Sequence, residues 1–411
     1  MKITEVKALV SSGRQPFVFA KVTTSNGLVG YGECEHMYGY ASPEVFAKSI
    51  ETLGKYIIGM DPFNTELAWY TLTQTFHMWN AQGNLGAIGA IDTALLDIKG
   101  KALGTPVYNL LGGKFRDKIR LYCHILVGAG PGRKDERERK LTPEILAEDA
   151  KELVKCGFTA LKFDPFTVVY WEEIDDPQIS AQGVVRSARF QRDFGMNYPR
   201  KLVPRAIEMV KAVRDAVGPQ VDIALDIHGR FDVESAIRIG RLLEPYDLFF
   251  YEEPIPPGNI EALRYVRQRV NIPICVGERR YFVDEFRRLF ELEATDIIMP
   301  DACRMGLSWF KKIADMALIY HVPVAPHVVY SSPLNAVITA HLCASIPNFL
   351  ISESMGPQRM ELFKDLVKPQ VLPENGYLKV PDRPGLGVEL NEHNLSKEYD
   401  TQEFTLDHRI W

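Results

Sequence analysis

Carboxylates and one histidine recur at a near-constant spacing in the second half of the chain. They are separated by 26, 26, 23, 26 and 26 residues, and five of the six close a short apolar run. The members of this series are Asp226, Glu252, Glu278, Asp301, His327 and Glu353. Such an interval suits one β-strand, one helix and two turns. In a closed parallel barrel the C-terminal strand ends meet at one face, so the series predicts a shared site.

The first three members of the series predict a divalent metal site. An isolated carboxylate at the end of a buried strand is costly unless it is paired, hydrogen-bonded or bound to metal. Three at successive strand ends repel one another unless a cation lies between them. Because all the ligands would be oxygen atoms, we expect Mg²⁺ on Asp226, Glu252 and Glu278. The alternative is ion pairing of these acids with nearby arginines, Arg230, Arg279 and Arg280.

Histidines near the strand ends are candidate proton-transfer groups. His327 ends VPVAPH and Asp301 follows DIIMP, so the carboxylate could fix the imidazole tautomer and raise its basicity, as a general base requires. His228 comes two residues after Asp226, and period-two alternation would place both on one side if the strand continued that far. A lone histidine is more often structural. We favour that role for the remaining candidates, His36, His77, His124 and His321.

Two further side chains stand at predicted strand ends. Lys162 lies in ALKFD, where its charge would be near a substrate carboxylate or a metal-bound oxygen, or would form a salt bridge with Asp164. Glu353 closes LISE, where a protonated or well hydrogen-bonded carboxyl would contact the substrate. We therefore expect both at the same site as the metal.

The elements that would position these residues are of two kinds. Residues 1–40 alternate as β-strands with a turn at residues 25–27, and residues 43–103 have helical apolar spacing, which predicts an α+β unit. From Ile119 onwards short strands alternate with helices, and eight such units suit a closed parallel barrel better than an open sheet. The candidate strands are LYCHILV, TALKFD, VDIALDIH, LFFYEE, PICVGE, DIIMPD, VPVAPH and FLISE.

Two connections between a strand and the next helix are unusually long, at residues 128–141 and 165–200. Long loops of this kind are often lids or binding loops. The second loop could cover an anionic ligand, and a subunit-contact arm or a disordered loop is an equal alternative. The side chains that could provide this cover include Tyr170, Trp171, Arg186, Arg189 and Arg192.

The composition limits the function classes. The chain has 411 residues, of which 25% are charged, and a net charge of −5 offers no basic field for nucleic acid. No apolar stretch is long enough to span a membrane, and the N-terminus lacks the pattern of a signal peptide. Six scattered cysteines indicate thiols in a reducing compartment. We predict a soluble cytoplasmic protein that binds a small molecule and forms a homo-oligomer built on dimers, up to an octamer.

Several motifs together resemble the enolase superfamily, mandelate racemase subgroup, over nearly the whole chain. They are IDTALLDIKGKALGTPVYNLLGG at 91–113, YEEP, GER, MPDACRMG, VAPH and ENGYLKVPDRPGLGVEL. ALKFDPF, LDIHGRFD and EPYDLFFYEEPIPP are also similar to acid-sugar dehydratases of the galactonate dehydratase kind. The second barrel strand reads Lys-Phe-Asp at 162–164 and lacks the Lys-x-Lys of many racemases and cycloisomerases, so we expect no lysine base there.

The resemblance implies a modified (β/α)7β TIM-type barrel at residues 119–360. It also implies an α+β capping domain formed from residues 1–118 and the C-terminal segment 361–411. The metal ligands would be the three acids named above, and His327 with Asp301 would form a catalytic dyad. In this superfamily the capping domain closes over the barrel mouth, so segments 35–40 and 76–80 are candidate substrate readers, or else part of the domain interface.

The predicted reaction is Mg²⁺-dependent dehydration of an aldonate or related sugar acid to a 2-keto-3-deoxy acid. His327 would remove the C2 proton, His228 would protonate the departing C3 hydroxyl, and Lys162 and Glu353 would contact the carboxylate. One alternative is a racemase, epimerase or cycloisomerase that uses both histidines. Another is a non-catalytic barrel that serves as a binding or regulatory protein.

Overall fold

The computed structural model describes residues 1–12, 16–34, 42–74, 84–125, 142–166, 198–328, 332–354 and 356–396. Several predictions concern residues outside these ranges. They are the loop at 128–141, residues 167–197 of the second long loop with all its aromatic and basic candidates, and the segments at 35–40 and 76–80. The roles proposed for these segments stay predictions.

The strands and helices are numbered along the chain. The described strands are β1 Ile3–Val10, β2 Val18–Thr24, β3 Val29–Cys34, β4 Lys118–His124, β5 Ala160–Phe163, β6 Asp222–Asp226, β7 Phe250–Glu252, β8 Ile274–Val276, β9 Ile297–Ile298, β10 Ser352–Ser354, β11 Val367–Lys368, β12 Tyr377–Lys379 and β13 Glu389–Leu390. The described α-helices are α1 Pro43–Gly54, α2 Thr65–Gln74, α3 Leu85–Leu103, α4 Val107–Leu110, α5 Pro143–Lys155, α6 Val203–Val217, α7 Val233–Leu243, α8 Ile260–Arg267, α9 Val283–Glu291, α10 Ala302–Met305, α11 Leu307–Ile319, α12 Pro333–Ser345 and α13 Pro357–Phe363.

The N-terminal sheet is antiparallel, in the order β1–β2–β3, and helix α3 packs closely against β3. Two glycines of β3 make this approach possible. A Cβ atom would lie 2.1 Å from the Ala94 carbonyl oxygen at Gly30, and 2.0 Å from that of Ala90 at Gly32. Any side chain at either position would therefore force helix and sheet apart.

Strands β4 to β9 form a parallel sheet whose neighbours follow the chain order. Every residue of β5, β7 and β8 is buried, as expected where both faces of a parallel sheet are covered. The intervening helices are amphipathic. In α7, Asp232 caps the first turn by accepting from Ser235 N, and Ala236, Ile239 and Leu243 form the buried side.

The seventh predicted strand, VPVAPH, is not a regular ladder strand. Its pairing is an isolated parallel bridge from Val324 to Phe349, supported by the hydrogen bond from Leu350 N to Val324 O at 2.9 Å. The reason lies in Pro323 and Pro326, which have no backbone N–H to donate to a ladder. This segment is therefore positioned by the bonds around its prolines.

The chain divides into two compact units. Among the described residues, unit 1 comprises those within Met1–Arg120, Tyr281–Val283 and Pro300–Thr401, and unit 2 comprises those within Leu121–Arg280 and Asp284–Met299. The division does not decide the predicted domain boundaries. Within the described residues, no helix is both long and apolar enough to cross a membrane.

Within unit 1, the C-terminal segment contacts the N-terminal sheet and helix α3. Leu386 N donates to Asp97 Oδ1 at 2.8 Å, and Glu392 Oε1 accepts from Tyr31 Oη and Lys21 Nζ, each at 2.6 Å. These bonds join residues more than 280 positions apart in the sequence. Residues around Leu386 and Glu392 are thus part of the same folded unit as the N-terminal sheet.

Candidate functional site

The carboxyl ends of β6 and β7 carry two buried acids in unit 2. Asp226 is the last residue of β6, Glu252 is the last residue of β7, and the two are register partners in the parallel sheet. They are 2% and 0% exposed. Because aligned strands in parallel register end at the same edge, the two carboxylates lie side by side, as the residue spacing predicted.

Lys162, in β5, supplies the positive charge nearest to these acids. Its Nζ lies 2.9 Å from Glu252 Oε2 and 3.3 Å from Asp226 Oδ2, and the lysine is itself buried. Burial acts to raise the pKa of Asp226, but His228 and Lys162 outweigh that effect and hold the pKa below its usual value. The neighbouring His228 and Lys162 thus favour the ionised form of Asp226.

His228 reaches the same group of side chains through a turn. Strand β6 ends at Asp226, and His228 has a left-handed backbone with φ 54°, so the strand continuation on which its placement was predicted is absent. Its backbone N–H donates to Asp226 Oδ1 at 3.1 Å, and its Nε2 lies 3.3 Å from Asp226 Oδ2. Nδ1 is 3.1 Å from Asp164 Oδ2 and 3.2 Å from Arg230 Nη2. The imidazole is therefore held between two carboxylates and a guanidinium.

Glu278 follows β8 and is buried, with its Oε1 3.1 Å from Arg279 Nε. The neighbouring Glu253 accepts from Gly277 N at 3.0 Å, and burial raises its pKa despite the opposing charge of Arg279. Of the arginines considered as alternative partners, Arg279 pairs with Glu278, whereas Arg230 contacts Asp164 and Arg280 Nη2 donates to the Pro257 carbonyl at 2.8 Å.

The donor set fits a hard divalent cation in chemistry. Asp226, Glu252 and Glu278 supply carboxylate oxygens from three successive strand ends, and oxygen is the ligand atom that Mg²⁺ prefers. Their side-chain conformations are not those of a coordination sphere: among the described residues, no three His, Cys, Asp or Glu side chains are grouped closely enough to hold an ion. Lys162 Nζ lies against two of the three acids instead.

The His327–Asp301 pair lies in unit 1. His327 Nδ1 is 2.7 Å from Asp301 Oδ2, and both side chains are buried. Asp301 is held in turn by the first turn of α10, because its Oδ1 accepts from Cys303 N at 2.8 Å. The bond at Nδ1 orients the ring, with Nε2 on its other side.

Glu353 lies on the other side of the His327 ring. Its Oε2 accepts from Val328 N at 2.9 Å and is 3.8 Å from His327 Nε2. The backbone N–H of His327 donates to the Pro300 carbonyl at 3.2 Å, and that of Glu353 donates to the Pro326 carbonyl at 3.1 Å. Bonds between neighbouring strand ends thus fix both the ring and the carboxylate that faces it.

His124, for which a structural role was favoured, is a candidate that the sequence reasoning missed. It ends β4 in register with Lys162, is 6% exposed, and neither ring nitrogen has a hydrogen-bond partner among the described residues. Burial and, to a lesser degree, the charge of Lys162 lower its pKa to about 3, so the ring is neutral. Its position at a strand end was visible in LYCHILV and was the one available signal.

Comparison with known proteins identifies the family of this chain. Residues 4–112 match the model described as mandelate racemase / muconate lactonizing enzyme, N-terminal domain, and residues 145–394 match the model described as enolase C-terminal domain-like. The chain belongs to the mandelate racemase / muconate lactonizing enzyme family. Membership in this family, part of the enolase superfamily, implies a divalent metal.

The relatives of this family member include named sugar acid dehydratases. It is 34% identical over 397 residues to D-xylonate dehydratase of Haloferax volcanii, covering 95% of this chain and 87% of that one. It is 33% identical over 382 residues to D-gluconate dehydratase of Thermoproteus tenax, covering 92% of this chain and 69% of that one. These names describe the relatives.

A solved structure shows the same fold. A member of the enolase superfamily from Salmonella Typhimurium is 35% identical and has a TM-score of 0.83, with 96% of this chain and 98% of that chain covered. The predicted TIM-type α/β fold with an N-terminal α+β domain is therefore confirmed, as is the predicted family.

Proposed function

We propose that this protein dehydrates a sugar acid, an aldonate or a close relative, to a 2-keto-3-deoxy acid with Mg²⁺. The observation that carries the proposal is the buried His327–Asp301 pair, an imidazole held at 2.7 Å by a carboxylate. Such a pair suits a general base, because the carboxylate fixes the tautomer and stabilises the imidazolium that forms. The named dehydratases that resemble this chain over nearly its whole length agree with the predicted lyase class.

The reaction begins at the weakly acidic proton on the carbon next to the carboxylate. We assign its removal to Nε2 of His327. Mg²⁺, held by Asp226, Glu252 and Glu278, would supply positive charge that favours the developing enediolate. Lys162 and Glu353 would contact the substrate carboxylate, the lysine as a cation and the glutamate through a hydrogen bond.

The second step is the loss of the C3 hydroxyl. His228 is held between Asp226 and Asp164, an arrangement that orients the ring and suits a proton donor. The electron pair that the enediolate holds at C2 forms the new C2–C3 double bond, the C3–O bond breaks, and the proton from His228 completes the departing water. The resulting enol becomes the ketone at C2. The neutral His124 would serve as a hydrogen-bonding partner for a substrate hydroxyl.

The substrate class follows from the acids handled by the relatives. The two described above act by name on D-xylonate and D-gluconate, both open-chain polyhydroxy acids with a hydroxyl at C2 and C3. We therefore propose an aldonate for this chain.

The test is a screen of mono- and diacid sugars with Mg²⁺ for formation of 2-keto acids. One or more aldonates should give a keto acid, and a His327→Asn variant should not. The same reactions in D₂O separate the alternatives. Deuterium in recovered or epimeric acid without keto product would favour a racemase or epimerase, and an absence of metal-dependent exchange at C2 with every acid would favour a binding protein.

A further inference from the structure

Glu33 is a buried carboxylate of the N-terminal sheet with an unusual set of partners. It stands next to the end of β3, is 2% exposed, and accepts three hydrogen bonds from the first turn of α12 or its cap. Ser332 N lies 2.7 Å from Oε1, and Ser332 Oγ and Asn335 N lie 2.6 and 3.0 Å from Oε2. Burial raises the pKa of Glu33 to about 7 although these bonds act against it. Burial thus disfavours the ionised form of Glu33, and a carboxylate in such a position is expected to have a structural or functional role.

The helix that Glu33 holds follows directly on the strand of His327. Helix α12 begins at Pro333, with Ser332 as its N-cap, only five residues after His327. The first N–H groups of a helix have no partner within the helix, so an acceptor there fixes where the helix starts. The position of Ser332 is thus set by a residue 299 positions earlier in the chain.

The other side of this segment is fixed as well. His327 N donates to the Pro300 carbonyl, and Val328 N donates to Glu353. Only residues 329–331, which lie outside the described part, separate Val328 from Ser332. Glu33 and Glu353 therefore hold the two flanks of the short connection that leaves the base.

Asp301, the partner of His327, shows a parallel arrangement. Helix α11 follows Asp301 and α10, and the N–H of Ser308 in its first turn donates to Asp92 Oδ2 at 3.0 Å. Asp92 comes from helix α3 and is buried, and a Cβ atom at Gly306 would lie only 2.6 Å from its Oδ2. A carboxylate from the N-terminal α+β region thus holds the helix after each member of the pair.

We propose that Glu33 is a positioning residue for His327: by fixing the start of α12 it holds the imidazole in the geometry needed to take the substrate proton. This inference rests on the proposed function for its catalytic meaning. It adds that a side chain of the N-terminal sheet sets the efficiency of proton removal through the helix that it holds.

A Glu33→Gln variant tests the proposal with little change of shape. One carboxylate oxygen becomes an NH₂ group, which in either orientation faces a backbone N–H, of Ser332 or of Asn335. At least one bond is then lost and the start of α12 must shift. Because small misplacements of catalytic groups are costly, we expect kcat to fall by about 10- to 100-fold with a smaller change in KM.

Asp97→Asn is the matched control. Asp97 is a fully buried carboxylate of the same unit whose two oxygens accept from Leu386 N and Tyr31 N, so an amide there also faces a backbone N–H in either orientation. Its hydrogen-bond and ion-pair partners are Leu386, Tyr31 and Lys101, none of which belongs to α12 or to the His327–Asp301 pair. We expect Asp97→Asn to lower stability and to leave kcat at the parental value.

The readout that is independent of turnover is the NMR spectrum of ¹⁵N-histidine-labelled full-length protein, with the His327 signals assigned by their loss in His327→Asn. Glu33→Gln should shift the His327 ring nitrogens and Asp97→Asn should not. Parental His327 signals and kcat in Glu33→Gln, or equal changes in both variants, would overturn the proposal. If no sugar acid is turned over by the parent, the proposed function fails and the His327 signals still decide the positioning role. If Glu33→Gln does not fold, Ser332→Ala, which removes only the Oγ bond, should give a smaller shift in the same direction, and no shift would count against the idea.

Discussion

The three histidines near strand ends, His327, His228 and His124, differ in the polar groups around their rings. His327 is hydrogen-bonded to one carboxylate and faces a second, His228 lies between two carboxylates and a guanidinium, and His124 has no hydrogen-bond partner among the described residues. The first contact could be predicted because Asp301 stands at the preceding strand end in the 26-residue series. The environment of His124 could not, because it depends on which side chains the fold leaves around a buried strand end. Sequence position suggests candidates, and packing decides their partners.

A His228→Asn variant should separate the two proton transfers of the proposed reaction. If His327 alone takes the C2 proton, the variant keeps exchange of that proton with D₂O but loses dehydration by about 10²- to 10⁴-fold, the usual contribution of a positioned acid. Deuterium incorporation by NMR and keto acid formation measure the two steps. His327→Asn should lose both, and a parallel loss of both in His228→Asn would contradict the assigned roles.

A Lys162→Met variant tests whether the three acids need a neighbouring positive charge. Removing one partner of a buried ion pair costs about 3–5 kcal/mol, because Asp226 and Glu252 lose their cation. Thermal unfolding of the metal-free variant should therefore occur at lower temperature, and Mg²⁺ should raise its midpoint more than that of the parent. Lys211→Met, which removes an exposed pair with Asp215, is the control. Equal Mg²⁺ shifts in all three proteins would argue against a metal at these acids.

At the scale of elements, the predictions hold where the backbone can make a regular ladder and fail where it cannot. Strands β5 to β9 coincide with predicted apolar runs, because buried parallel strands need little beyond hydrophobic residues and turns. VPVAPH had the right composition, but its two prolines limit it to an isolated bridge. His228 likewise lies beyond the end of its strand, in a left-handed turn that period-two reasoning does not anticipate. In VPVAPH the missing backbone N–H donors of the prolines prevented a regular strand, and at His228 the left-handed φ ended it. Hydrophobicity decided neither.

Helix α12 contains a buried histidine that should make stability depend on pH. His341 is 0% exposed, accepts from Tyr108 N at Nδ1 and has its Nε2 2.9 Å from the Leu386 carbonyl. Burial lowers its pKa to about 4 although the bond to Leu386 opposes this. The unfolded chain binds a proton near pH 6.5 and the folded chain only near 4, so this contribution is complete above 6.5 and is lost as the pH falls towards 4.

The expected loss is about 3 kcal/mol, the shift of the pKa multiplied by 1.36 kcal/mol per unit. Urea unfolding of the parent and of His341→Gln at pH 8 and pH 4.5 measures it. Glutamine keeps a donor for Leu386 but does not titrate, so the difference in unfolding free energy between the two pH values should be smaller in the variant. The same pH dependence in both proteins would show that His341 is not its source.

At the scale of the whole molecule, the sequence predicted the class of fold because the series of strand ends is a global property. Its spacing of about 26 residues indicates a repeated strand-and-helix unit, and removing one such unit would disrupt the sheet that all of them form. The attachments between distant segments were not predictable in the same way. Glu33 to Ser332 and Asp97 to Leu386 each join residues about 290 or more positions apart, and nothing in the local pattern of either partner marks the other. Buried carboxylates that cap remote helices become visible only in three dimensions.

The prolines that interrupt the seventh strand also act before the protein is folded. Each ring confines its own φ and restricts the residue before it, so the segment from Pro323 to His327 has few conformations to lose. Ordering it therefore costs less chain entropy than ordering an ordinary strand of equal length. The general base would then sit on a segment that the prolines have already restricted, so that its few cross-strand hydrogen bonds oppose a smaller loss of entropy.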